Sequence, residues 1–194
     1  MRRWAVLAVV LGIMLSSSVA LAAFRHAPAP PPNGEEPIGV LYLFQKTPLP
    51  AEPTSGPWPI VPGGAWGMLR YSLWGEDFKF DFKGRHLAPK TDYTLIYYPD
   101  PWPGNNLICF ANGRTNPAGN LNLAKDEFEI DTSLPAQGDA NFSAVYPSGA
   151  VGAKLWLVLS SDVDCTARMM IQWNPEKYLF EFNLINFEFR PEVE

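Results

Sequence analysis

Two histidines, His26 and His86, are all the imidazole chemistry this chain carries. Acyl transfer through a triad needs a nucleophile, a base and an orienting acid. His26 stands in a proline-rich segment and His86 in a Gly84-Arg85-His86 turn, where it reads as an exposed turn residue rather than a general base. There is no G-x-S-x-G elbow, no H-E-x-x-H pair and no glycine-rich phosphate loop. Zinc catalysis, which usually takes two or three histidines, is excluded on the same count. Paired carboxylates for glycoside hydrolysis stay open, because they need only two acids several ångströms apart and the chain has 20.

One acidic cluster has a shape. Asp162-Val163-Asp164, joined by Asp100 from another loop, offers oxygens of the kind that Ca²⁺ takes six to eight of. The same D-x-D spacing is equally that of a plain solvated turn. The aromatic residues in proline-rich loops are the better lead. Trp58 lies between prolines, Trp102 sits in Asp-Pro-Trp-Pro-Gly-Asn-Asn with Asn105, and Trp173 precedes Asn-Pro. Rigid loops that present Trp beside Asn and Asp are surfaces on which sugar rings stack and hydrogen-bond. The alternative is that each Trp folds back to cap an open end of the fold. An exposed cluster of them marks a binding patch.

The two cysteines, Cys109 and Cys165, are too few for a Cys-based metal site and are expected to pair as a disulfide in an oxidising compartment. Two separately buried thiols are the alternative. The compartment has its own signal. Arg2 and Arg3, an apolar run from Trp4 to Leu15 and a small-x-small site at Ala20-Leu21-Ala22 make residues 1–22 a signal peptide. That run is short against roughly 30 Å of hydrocarbon; extended to Ala23 it reads instead as a retained anchor. No other stretch is apolar enough to span a membrane. The expectation is an exported protein, periplasmic, cell-surface or secreted.

The framework that must position these residues reads as all-β. Of 194 residues 47% are hydrophobic and 13% aromatic, with 20 Pro and 15 Gly that interrupt helices and mark turns. After a proline-rich linker over 23–37, strands are expected over Ile38–Lys46, Ala65–Trp74, Asp77–Lys83, Asp92–Tyr98, Leu107–Asn112, Asn120–Ala124, Glu127–Asp131 and Lys154–Ser160. Between the first two, Thr47–Gly64 is too rich in proline to be a central strand. In DFKFDFK, Phe78, Phe80 and Phe82 share one face, the pattern of a half-buried antiparallel strand. KLWLVLS is continuously apolar, as in a strand covered on both faces. Tyr178–Phe189 changes parity near Leu184–Ile185, which predicts a β-bulge or bend there. Eight or nine short strands with turns between them predict one domain over 38–194, an antiparallel two-sheet β-sandwich, immunoglobulin-like or jelly-roll-like.

Leu87-Ala88-Pro89-Lys90-Thr91-Asp92-Tyr93-Thr94-Leu95 resembles the tyrosine-corner segment of fibronectin type III and immunoglobulin-like sandwiches. The resemblance covers nine residues and implies that the Tyr93 hydroxyl returns to upstream backbone, a structural role. The run Tyr93 to Gly104 also resembles exported prokaryotic β-proteins with a YTLIYYPDPWPG-type stretch, which implies no particular activity.

The net charge of −5, with basic residues scattered singly after Arg3, excludes a nucleic-acid partner, which needs a basic stripe. The expected function is a non-catalytic binding or structural module at the cell surface, with a protein or surface polysaccharide as partner. Trp58, Trp102, Asn105 and Trp173 are its candidate ligand-binding residues. A polymer-acting hydrolase is the rival.

Overall fold

A computed structural model describes residues 37–47, 58–136 and 152–191. The expected signal peptide, nearly all of the proline-rich segment over 23–37, His26 and the central part of the 47–64 loop lie outside them. The chain forms β1 (Ile38–Phe44), β2 (Trp66–Ser72), β3 (Trp74–Gly75), β4 (Phe80–Arg85), β5 (Asp92–Tyr98) and β6 (Ile108–Arg114). It continues with β7 (Leu121–Lys125), β8 (Lys154–Leu159), β9 (Val163–Asp164), β10 (Met169–Met170), β11 (Leu179–Glu181) and β12 (Glu188–Phe189). Two single-turn 3-10 helices, Ser160–Asp162 and Pro175–Lys177, are the only helical residues among those described.

Eight strands hydrogen-bond in one antiparallel order, β6-β5-β8-β11-β1-β2-β4-β7. The sheet curls until its edge strands β6 and β7 lie against each other, so its form is close to a barrel. Its concave face is the core. Leu41, Leu43, Leu69, Tyr71, Phe80, Phe82, Tyr93, Leu95, Tyr97, Leu155, Leu157 and Leu179 all point into it, each from a position of constant parity on its strand. Phe78, fully buried, meets Phe110 at 4.8 Å and Phe187 at 5.2 Å between ring centroids. Burial of each such side chain stabilises the fold by roughly 1.5–3 kcal/mol. Where rings crowd, a strand uses glycine: a Cβ on Gly67 would stand 2.4 Å from the Phe82 ring.

Of the strongly patterned segments, Asp92–Tyr98 and Lys154–Ser160 form strands close to where their sequences place them, whereas Asp77–Lys83 becomes a strand only from Phe80 and runs on to Arg85. Phe78, Phe80 and Phe82 are buried together, and Asp92–Tyr98 forms β5. β8 is covered on both sides, with Leu155 and Leu157 in the core and Trp156 and Val158 in a second apolar cluster on the convex face. Tyr93 is buried and its hydroxyl is hydrogen-bonded to the Ala88 backbone. Other expectations need correction. Glu127–Asp131 is no strand and makes one bridge, Asp77 to Glu129. Ala65–Trp74 divides into β2 and β3, because the chain turns at Leu73, whose amide bonds to the Pro37 carbonyl. Tyr178–Phe189 is not one continuous strand, and of the bulge or bend expected near Leu184–Ile185 the chain shows a bend, at Phe182–Asn183. It leaves the sheet after Glu181, bridges Ala153 through Ile185, and ends in β12, parallel to β3. The register shift in the sheet falls instead between Leu95 and Ile96, opposite an extra residue of β6.

Candidate functional site

The convex face of β5, β8 and β11 is roofed by residues 160–178. Ile96, Tyr98, Trp156, Val158 and Phe180 project outward and pack under Val163, Met170 and Tyr178. Three fastenings hold this layer. The Cys109–Cys165 disulfide ties the β9–β10 turn to β6, with Cα atoms 5.9 Å apart. Arg168 donates from Nε to the Leu107 carbonyl at 3.2 Å, and the Met170 amide donates to the Pro103 carbonyl at 2.9 Å. The third is Asp162, buried beneath the layer. Its Oδ2 accepts from the Tyr178 hydroxyl at 2.5 Å and the Asn174 side-chain amide at 2.7 Å, and its Oδ1 accepts from Ser161. Burial, with this bond second, raises the Tyr178 phenol well above its ordinary pKa. The Asp162 carbonyl also accepts from the Ile171 and Gln172 amides, so one residue anchors the loop that carries Trp173.

These ties bring two loops together. Trp102 and Trp173 meet edge to face at 5.5 Å between centroids and stay 49% and 40% exposed. Below them Trp156 lies 5.9 Å from Trp173 and stacks flat on Tyr98 at 3.8 Å. Phe180 completes the floor, 5.1 Å from Trp156. The Trp156 indole N–H is buried and finds no hydrogen-bond partner among the described residues. Beside this floor Lys154, opposite Tyr98 in the ladder, makes an ion pair with Asp100 of the Trp102 loop. Burial lowers the Lys154 pKa to about 8, against a smaller upward pull from the Glu181 charge. Asn105 is exposed in the same loop as Trp102.

Trp58 is part of the rear of this assembly rather than its surface. Its ring packs on Phe180 at 4.3 Å, its indole N–H donates to the Thr47 carbonyl, and Lys46 lies 5.7 Å over the ring. Trp58 thus folds back as a cap, whereas Trp102 and Trp173 form an open pair. The three aspartates named for calcium are engaged separately: Asp100 by Lys154, Asp162 as above, and Asp164 by the Thr166 and Ala167 amides. No group of three His, Cys, Asp or Glu able to hold a metal occurs among the described residues. His86 is exposed in the β4–β5 connection at φ 59°. On another side of the molecule, Glu76, Asp77, Glu127, Glu129 and Asp131 line an open groove of about 890 Å³.

Sequence reasoning missed Trp156, Tyr98 and Lys154. A signal was present: a strand apolar on both faces must have something laid over its outer face, and KLWLVLS places Lys154 and Trp156 on that face together. No known protein family, curated protein or solved structure matches the chain.

Proposed function

We propose that this is an exported, non-catalytic recognition module that binds polysaccharide through the Trp102–Trp173 pair. The observation that carries the reading is that pair: two indoles from different loops, about half exposed, held edge to face on a buried aromatic floor. The apolar face of a pyranose ring stacks on an indole, and its hydroxyls take hydrogen bonds from exposed polar groups such as Asn105 in the Trp102 loop. A fixed, open aromatic pair of this kind suits a long chain, which needs repeated shallow contacts rather than a closed pocket. The leader pattern at residues 1–22 and the single disulfide support export. In this reading the curled sheet is a closed variant of an immunoglobulin-like or jelly-roll-like sandwich, a likeness supported by its antiparallel strands folded over one core. The ligand acts without a metal in this reading.

The test is a thermal-melt screen of the protein against a polysaccharide panel, followed by titration of the ligand found. A ligand that binds only the native state raises the melting temperature. Trp102→Ala and Trp173→Ala are each expected to weaken binding roughly tenfold, about 1.4 kcal/mol, with the fold retained. Unchanged affinity in both variants overturns the assignment. The acidic groove supports a second reading, a polymer hydrolase that uses two of its carboxylates. Release of reducing ends that stops in Glu129→Gln would put that reading in place of the first.

A further inference from the structure

The convex face of β1 is the other large apolar surface. Ile38, Val40 and Tyr42 alternate outward along the strand. On β2 the patch continues at one end, with Tyr42 opposite Met68 and Phe44 opposite Trp66, while Val40 stands opposite the exposed Arg70. On the other side Phe182 packs edge to face on Phe44 at 5.8 Å. Ile38, Val40, Tyr42, Trp66 and Phe182 are between 36% and 53% exposed. A half-buried antiparallel strand ordinarily turns charged or polar side chains to solvent, and β4 does so with Asp81 and Lys83. β1, two strands away, turns out only Ile, Val, Tyr and Phe.

We infer that this face is a homodimer interface, in which β1 and its neighbours pack on the same face of a second copy. The exposed parts of the five residues amount to roughly 500 Å², the upper range for a patch on a monomer. Two such patches mated face to face bury about 1,000 Å², the threshold of a specific interface, before any rim contact is added. The shape and charge of the patch fit a second copy. It lies on a regular strand and not on a protruding loop, so a second copy can lay its own β1 across this one about a two-fold axis. Its rim holds both signs, Arg70 opposite Asp81 in the ladder and Lys83 bonded to Asp81 at 3.1 Å, so a two-fold axis can set cation against carboxylate. A lipid surface or an acidic partner would select for one sign.

The dimer is separable from the sugar site, since none of these residues belongs to the Trp102–Trp173 pair. It gives that pair a partner: two platforms on one particle bind a long chain with avidity that a short oligosaccharide does not elicit. The experiment is sedimentation of the purified protein over the micromolar range. The unaltered protein is expected at twice the monomer mass, dissociating on dilution. Val40→Glu is expected to be monomeric and folded, melting where the unaltered protein melts once diluted to its monomer, because the side chain points outward and the core is untouched. Tyr42→Glu serves as the second variant if the first does not fold. A monomer at every concentration overturns the inference, and so does a dimer that persists in both folded variants. Flotation with neutral phosphatidylcholine vesicles is run alongside, and a monomer that floats assigns the face to a membrane surface instead. Sugar binding by the Val40→Glu monomer keeps the recognition reading intact whichever result is obtained.

Discussion

Asp162 shows how much one buried carboxylate organises. A side chain 1% exposed satisfies a phenol, a carboxamide and a hydroxyl, while its own carbonyl takes two amides. Removing it strands the Tyr178 hydroxyl and the Asn174 amide together, and an unsatisfied buried group costs more than the net worth of its bond. Asp162→Ala is expected to lower stability by about 2–3 kcal/mol, read as a lower denaturant midpoint at unchanged slope. Loss of sugar binding is expected to go with it, since Trp173 hangs from the same knot. The D-x-D spacing made these acids visible in the sequence, but not their use. Whether a carboxylate faces a cation, an amide or a tyrosine depends on what the fold brings near it, and Tyr178 lies 16 residues from Asp162. The tryptophans were legible for a different reason. Prolines beside Trp102 and Trp173 keep those indoles out of regular strands, and the open question was only which of them turn outward. Trp58 turned in because Phe180 and the Thr47 carbonyl were there to receive it.

The roof over β5, β8 and β11 has few ladder bonds of its own, since β9 and β10 are two residues each. It is held by packing and by Cys109–Cys165, whose sequence separation is 56. Closing a loop of that length stabilises the fold by about 4 kcal/mol through chain entropy. Reduction, or the Cys109→Ala/Cys165→Ala pair, is expected to remove about that much and to weaken ligand binding before the main sheet melts. Calorimetry with and without reductant, with and without the ligand, separates the two effects. At this scale the sequence was readable where period and length coincide. DFKFDFK and KLWLVLS each carry enough residues for alternation, or its absence, to mean something. β3, β9, β10 and β12 do not, because two residues have no period. Their existence follows from what lies beside them: β12 from the outer edge of β3, β10 from the Pro103 carbonyl. The parity change in Tyr178–Phe189 was real, but a change of parity looks the same whether a strand bulges or ends.

At the scale of the whole molecule, burial moves a lysine and a tyrosine in opposite senses. The unfolded chain keeps the Lys154 proton up to its ordinary value of 10.5, while the folded chain gives it up at about 8. Between those values the unfolded state holds more protons, so stability is expected to rise with pH. Tyr71, which burial raises from 10.0 to about 12, acts in the opposite sense. Above pH 10 the unfolded phenol ionises first and stability is expected to fall. A denaturation series from pH 7 to about 12 should therefore show a maximum near 10, and Lys154→Met should shrink the rising limb to the part that Lys46, whose pKa burial also lowers, contributes. The strand order has a consequence for how such a chain is made. β5 and β1 are joined only by β8 and β11, which come last among the eight strands. A chain delivered N-terminus first, from a ribosome or through a translocation pore, can pair β1 with β2 and β5 with β6 as they emerge, but not close the gap between those hairpins. Until residues 154–181 arrive, two open strand edges wait for the chain's own last segments. A polypeptide with that arithmetic stays threadable through most of its delivery and seals only at the end.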